Sequence, residues 1–183
     1  MRYLENMEIK NHWLTHVAKT LSPNTDMRPI EEDISLIVIH CISLPPKQFG
    51  GKHIDQLFCN QLNPKEHPYF KDIYQLKVSA HLLIKRSGEV IQYVPFNQRA
   101  WHAGVSEYKG RKKCNDFSIG IELEGYETCE YSEKQYQQLN CVISTLLAHY
   151  PSLSKKRITG HSDIAPGRKT DPGDSFDWKR LIL

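Results

Sequence analysis

No segment of this chain approaches the ~18 consecutive apolar residues that a membrane-crossing helix requires. Charge of one sign is also scarce. Lys+Arg number 24 and Asp+Glu 21, a net charge of +3, which excludes the basic stripe of a dedicated nucleic-acid binder. The five cysteines, Cys41, Cys59, Cys114, Cys129 and Cys141, are scattered, odd in number and contain no C-x-x-C pair, which argues against a disulfide framework. Internal repeats and low-complexity tracts are missing, so neither a solenoid nor a long linker is expected. Met1–Lys10 holds acidic residues and no apolar stretch. It therefore predicts no secretory signal, and with the unpaired cysteines it points to a reducing cytoplasmic setting.

What is present suits one globular unit. A chain of 183 residues falls in the usual range for a single domain, and 39% hydrophobic with 25% charged residues is ordinary for a soluble protein. Ile34–Ile39 is a nearly continuous β-branched run, predicted to be a strand buried on both faces and ending at His40. A short helical piece is expected around Trp13–Ala18, and two more over His53–Asn60 and Pro64–Tyr74. Val78–Lys85 and Glu89–Val94, separated by Arg86-Ser87-Gly88, read as a hairpin. Ser118–Leu123 reads as another strand. Ser132 and Gln135 form a capping box ahead of Tyr136, Leu139, Ile143, Leu146, Leu147 and Tyr150 at helical spacing, with Pro151 beyond the end. A last short helix is expected after Asp174, through Trp178 and Leu181. This order predicts an α/β fold: one mixed sheet with helices packed on it.

Several polar residues stand where the fold alone does not require them. His40 closes a buried strand, although from that segment alone a hydrogen-bonded histidine at a sheet rim is the favoured reading. His161 opens the Gly- and Pro-rich loop Gly160–Gly173, which also carries Asp171. Two imidazoles and a carboxylate form a donor set that suits a catalytic zinc, which takes three protein ligands and leaves one position open. The spacing matches no compact metal motif. Glu122 lies on the strand face shared by Ser118, Gly120 and Glu124, opposite Ile119, Ile121 and Leu123. It faces either a cleft or solvent. Glu124, beside the Gly125 turn, is expected in solvent. Lys169 reads by default as a solvated loop lysine.

Five blocks carry a resemblance: Val38-Ile39-His40, Val78-Ser79-Ala80-His81, Ala100–Ser106, Cys114–Gly125 and Thr159–Gly173. In this order, between about residues 20 and 180, they resemble the AmpD-type zinc amidases. These enzymes act on 1,6-anhydro-N-acetylmuramoyl-L-alanine and are related to phage lysozyme-amidases and peptidoglycan recognition proteins. The resemblance implies a central mixed sheet flanked by helices with zinc in a surface cleft, in one domain over 1–183 with 1–30 as an extension packed on it. It implies one zinc per chain on His40, His161 and Asp171, a general base at Glu122 and a transition-state stabiliser at Lys169. It further implies cytoplasmic peptidoglycan recycling by a monomer acting on small soluble muropeptides, without nucleic acid or membrane as partner. Lys77, His81, Trp101, His102, Lys113 and Asn115 are the expected substrate contacts. Phage relatives have cysteine at the Asp171 position and tyrosine at the Ala80 position. Close relatives have asparagine where this chain has Cys41, and arginine where it has Lys77 and Lys113. A lysine is a point charge that does not reproduce arginine's planar fork.

Two other readings compete. A recognition module of the same fold would bind fragments without cleaving them, but would be expected to lack a ligand. A cysteine hydrolase built on Cys41 and His40 fails on geometry, since adjacent strand residues point to opposite faces.

Overall fold

The computed structural model describes residues 7–182. Its centre is a six-stranded sheet formed by β1 (Ala18–Lys19), β2 (Leu36–Ile42), β3 (Leu82–Ile84), β4 (Val90–Gln92), β5 (Ser118–Glu124) and β6 (Ile158–Gly160). The spatial order is β6-β2-β5-β3-β4-β1. Neighbours from β6 to β3 run parallel, β3 and β4 form the antiparallel hairpin, and β1 lies parallel to β4. The sheet is therefore mixed, as expected.

Strands buried on both faces need apolar cover on both. On one face Ile37, Ile39, Ile119, Ile121 and Leu123 pack under the helix α3 (Glu133–His149), which contributes Tyr136, Leu139, Val142, Ile143 and Leu146. The capping box is formed: Ser132 Oγ accepts from the Gln135 backbone N–H and Gln135 Oε1 accepts from the Ser132 N–H. Gln135 Nε2 also donates to the carbonyls of Ile84 and Glu124, so the cap ties the helix start to two strands.

The second face carries two separate apolar clusters. One joins Leu36 and Val38 to Ala103, Cys114, Phe117 and Ile164. The other joins Leu83, Ile91 and Tyr93 to the short helices α1 (His53–Phe58) and α2 (Phe70–Ile73). His40 and Glu122 point to this face and belong to neither cluster.

Several elements differ from their sequence prediction. Trp13–Ala18 forms no helix; left-handed backbone at His12 and His16 breaks the segment. Trp13–Leu14 pairs with Ile9–Lys10, and Ala18–Lys19 becomes the edge strand β1. The helix expected over Pro64–Tyr74 is confined to Phe70–Ile73, past Pro68, whose ring does not fit a helix interior. The strand expected to end at His40 continues to Ile42, because β5 runs alongside it to Glu124. The hairpin strands are shorter than expected, with Gly88 supplying the positive φ of +87° in their turn. The C-terminal helix is a single 3₁₀ turn at Trp178–Arg180.

Candidate metal centre

Parallel register builds the site. Glu122 on β5 stands directly beside His40 on β2, and Gly160 at the end of β6 stands beside Ile39. His161, the next residue and the first of the short helix α4 (His161–Ile164), thus arrives level with His40. Three chemistry-bearing residues meet at the carboxyl ends of three neighbouring parallel strands, where open α/β sheets place their ligands. Asp171 completes the group from the following loop, whose backbone is held by the Ser162 N–H on the Asp171 carbonyl and by the Tyr131 hydroxyl on the Pro172 carbonyl.

The donor atoms converge. His40 Nδ1 lies 2.9 Å from His161 Nδ1, and each nitrogen lies 3.1 Å from Asp171 Oδ2. All three residues are buried, and a metal ion could take one donor atom from each. A tetrahedral zinc with bonds of about 2.0–2.1 Å separates its donors by about 3.3 Å, so the group fits with an outward shift of a few tenths of an ångström. The protonation states also fit. Burial pushes His40 down to about 4, leaving it neutral despite the opposing pull of Asp171. Burial would raise Asp171, but its close polar contacts with His161 and His40 outweigh it and hold the carboxyl below its usual range. Two neutral imidazoles and a carboxylate are ligands ready to bind. The remaining nitrogen of His161, Nε2, donates to the Ala103 carbonyl at 3.1 Å, leaving Nδ1 bare. Arg168 Nη2 shares that carbonyl at 2.6 Å and also reaches the Val105 carbonyl at 2.7 Å.

Glu122 shares with these residues a cleft of about 540 Å³. Its Oε2 is buried and has no hydrogen-bond partner among the described residues. Burial, reinforced by the negative charge of Asp171, holds its carboxyl well above the ordinary range, while Lys169 pulls the other way. Lys169 is exposed and lines the same cleft.

The expected substrate contacts separate into three groups. Trp101 lines the cleft, with its indole N–H on Asp26 Oδ1 at 3.1 Å. His102 lines it too, with its ring against His40. Lys77 and Lys113 are exposed and lie outside the lining. His81 requires a correction. It is fully buried, with Nδ1 taking the Gly120 N–H and Nε2 on the Gln98 carbonyl, and it lies outside the cleft lining. Asn115 is likewise a loop clamp outside the lining, its Oδ1 accepting from the backbone N–H groups of His102 and Ala103. Glu124 is not in solvent: it is 2% exposed and accepts from the Gly50 and Arg86 N–H groups at 2.5 and 3.0 Å. The Cys41 thiol packs toward the α3 side and burial pushes it up to about 12, so it is no thiolate nucleophile. Sequence reasoning passed over Arg168, Ser118 and the buried Arg28. Arg28 donates to the carbonyls of Phe96, Asn115, Asp116 and Ser118. Its only signal was a cation in a segment otherwise read as loop.

Comparison with known proteins accords with this geometry. The family model described as N-acetylmuramoyl-L-alanine amidase matches residues 30–174. The 1,6-anhydro-N-acetylmuramyl-L-alanine amidase AmpD of Citrobacter freundii is 56% identical over 175 residues, covering 96% of this chain and 93% of that protein. The crystal structure of a selenomethionine AmpD derivative superposes with a TM-score of 0.93 at 55% identity, covering 96% of this chain and 97% of the other. The amidase AmiD from E. coli, solved with anhydro-N-acetylmuramic acid-L-Ala-D-gamma-Glu-L-Lys, has a TM-score of 0.58 at 26% identity, covering 96% of this chain and 64% of the other. With a family match over most of its length and a majority of residues shared with AmpD, the chain belongs to the N-acetylmuramoyl-L-alanine amidase family.

Proposed function

We propose that this chain hydrolyses the amide bond between anhydro-N-acetylmuramic acid and L-alanine in small soluble muropeptides, with one zinc held by His40, His161 and Asp171. The observation that carries this reading is the buried convergence of these donors beside Glu122 on the neighbouring strand, whose buried Oε2 has no hydrogen-bond partner among the described residues. When bound, zinc supplies Lewis acidity, which makes water acidic near neutral pH and polarises an amide carbonyl.

The protein's own groups do the rest. Glu122, with its raised proton affinity, accepts the proton of the attacking water and passes it to the leaving amine of L-alanine. A carboxylate at its ordinary value would hold that proton too weakly. The Lys169 ammonium, on the rim of the same cleft, stabilises the carbonyl oxygen as it gains negative charge, a contact worth about 3–4 kcal/mol by analogy with an oxyanion-hole donor. Trp101 offers a half-buried ring at the cleft wall for a sugar face.

The proposed setting is the cytoplasm, where the five free thiols would stay reduced. No described helix is long and apolar enough to cross a membrane. We take residues 1–183 as one catalytic unit working as a monomer, with 1–30 an extension packed on it. Leu14 enters the main core and Thr25–Met27 pairs with Gln98–Ala100, while residues 1–6 lie outside the described part.

The test is metal analysis of the purified protein, with cleavage of an anhydromuramyl peptide followed before and after chelation. Zinc near one per chain, loss of cleavage on chelation and its return on adding zinc are expected. Undiminished cleavage without metal would overturn the mechanism. Zinc binding without any cleavage would point instead to a non-catalytic fragment-binding protein.

A further inference from the structure

The far side of His40 leads to a second set of polar groups that the proposed chemistry does not use. His40 Nε2 lies 2.9 Å from His102 Nδ1, with the two rings nearly perpendicular. His102 Nε2 lies 3.1 Å from Ser118 Oγ, and Ser118 Oγ lies 2.6 Å from the Cys114 carbonyl oxygen.

With both imidazoles neutral, one arrangement of protons satisfies this chain. A carbonyl oxygen can only accept, so Ser118 donates its single hydroxyl proton to Cys114. Ser118 Oγ must then accept from His102, which places the His102 proton on Nε2. A neutral His102 therefore has a bare Nδ1, and that nitrogen accepts from His40 Nε2–H. His40 Nδ1 is left without a proton, facing His161 Nδ1 and Asp171 Oδ2.

The surrounding structure is shaped for this chain of groups. A Cβ on Gly120 would stand 2.4 Å from His102 Cγ, so the ring occupies space that only glycine leaves open. The His102 backbone is held by Asn115 Oδ1. Three same-face positions of β5 thus have separate tasks: Ser118 ends the chain of hydrogen bonds, Gly120 makes room for its middle member, and Glu122 faces the cleft.

We propose that His102 and Ser118 form a positioning relay that locks His40 in its Nε2–H tautomer and so makes Nδ1 its metal-facing nitrogen. Histidine ligands commonly donate their second N–H to a carboxylate or a backbone carbonyl; here the acceptor is a neutral imidazole anchored on a serine. His102 is a positioning residue in this account, not a substrate contact. The consequence for metal rests on the zinc reading above, whereas the tautomer does not.

The test begins with 15N-labelled, zinc-free protein, in which long-range 1H–15N correlations report which nitrogen of each histidine carries the proton. Nε2–H is expected at both His40 and His102. Zinc affinity is then measured by chelator competition. His102→Leu, which fills the space without an acceptor, should bind zinc about 10–100-fold more weakly. His102→Asn, whose carboxamide oxygen can stand near the Nδ1 position, should recover most of that loss. Ser118→Ala should mix the His102 tautomers and lower zinc affinity by less than His102→Leu does. An Nδ1–H tautomer at His40 in the parent protein would overturn the relay, as would a folded His102→Leu protein that binds zinc as tightly as the parent. If His102→Leu does not fold, the parent spectrum and the Ser118→Ala affinity still decide. A parent protein that binds no zinc would sink the amidase reading while the spectrum judged the relay.

Discussion

The two faces of the β2–β5 strand pair follow opposite rules. Under α3 the inward face is built from aliphatic side chains, Ile37 and Ile39 beside Ile119, Ile121 and Leu123, with Gln135 at the helix start as a polar tie to two strand carbonyls. On the other face the same strands carry His40, Ser118, Gly120, Glu122 and Glu124 between two separate apolar clusters. The first face stabilises the fold chiefly through apolar burial. On the second, burial is used to change chemistry: it keeps His40 neutral and raises the proton affinity of Glu122. Within that face the contrast sharpens further. Glu122 and Glu124 sit two residues apart and point the same way, yet Glu124 is tied to two backbone N–H groups and Glu122 Oε2 to none. One carboxylate is structural and the other is left available for reaction.

The largest way to break the comparison is to remove the metal donors. His40→Ala, His161→Ala and Asp171→Ala should each lose zinc and cleavage together, measured by metal analysis and turnover on one preparation. A variant that keeps stoichiometric zinc and near-parental turnover shows that its residue is not a ligand.

Next come the groups that act without holding metal. Glu122→Ala should lower kcat by about 10²–10⁴-fold. Lys169→Ala should lower it by about 10²–10³-fold, by analogy with removal of an oxyanion-hole donor. In both, zinc should stay near one per chain and KM should move less than kcat. A proportional fall in zinc content would reassign either residue to the metal.

The two glutamates should also separate by stability, in opposite directions. Glu124→Ala leaves two backbone N–H groups of Gly50 and Arg86 without their acceptor and should cost about 2–4 kcal/mol in urea unfolding. Glu122 behaves inversely. Its folded-state pKa lies above its unfolded value, so the unfolded chain releases that proton first and stability falls as pH rises above about 4.5. Glu122→Gln should therefore raise the Tm of the zinc-free protein at pH 7, by about 2–4 °C for each kcal/mol recovered, and leave it unchanged at pH 4. Equal destabilisation by both substitutions would erase the distinction.

The smallest effect is expected at Cys41. Its thiol packs toward α3 and is not among the metal donors, so Cys41→Ser should retain zinc and most of its turnover. Complete inactivation with zinc retained would revive a nucleophilic thiol.

Much of this was legible in the residues themselves. The β-branched run before His40, the Ser132–Gln135 cap with the spacing of α3, and the alternation along Ser118–Leu123 each depend on neighbours within a few positions, and period and capping report such local rules directly. The donor types His40, His161 and Asp171 could be named because few side chains suit zinc. The rest depended on approach between distant segments. Register across three parallel strands brings His161 level with His40 and sets Glu122 beside it, and no local pattern encodes register between strands more than 80 positions apart. Only the fold buries His81 against the Gly120 and Gln98 backbone and turns Glu124 inward onto Gly50 and Arg86, because a histidine or a glutamate has the same local signature in either place. The space above Gly120 that the His102 ring fills is likewise a product of packing: a glycine reads in sequence as freedom, and only its neighbours in three dimensions show that it makes room.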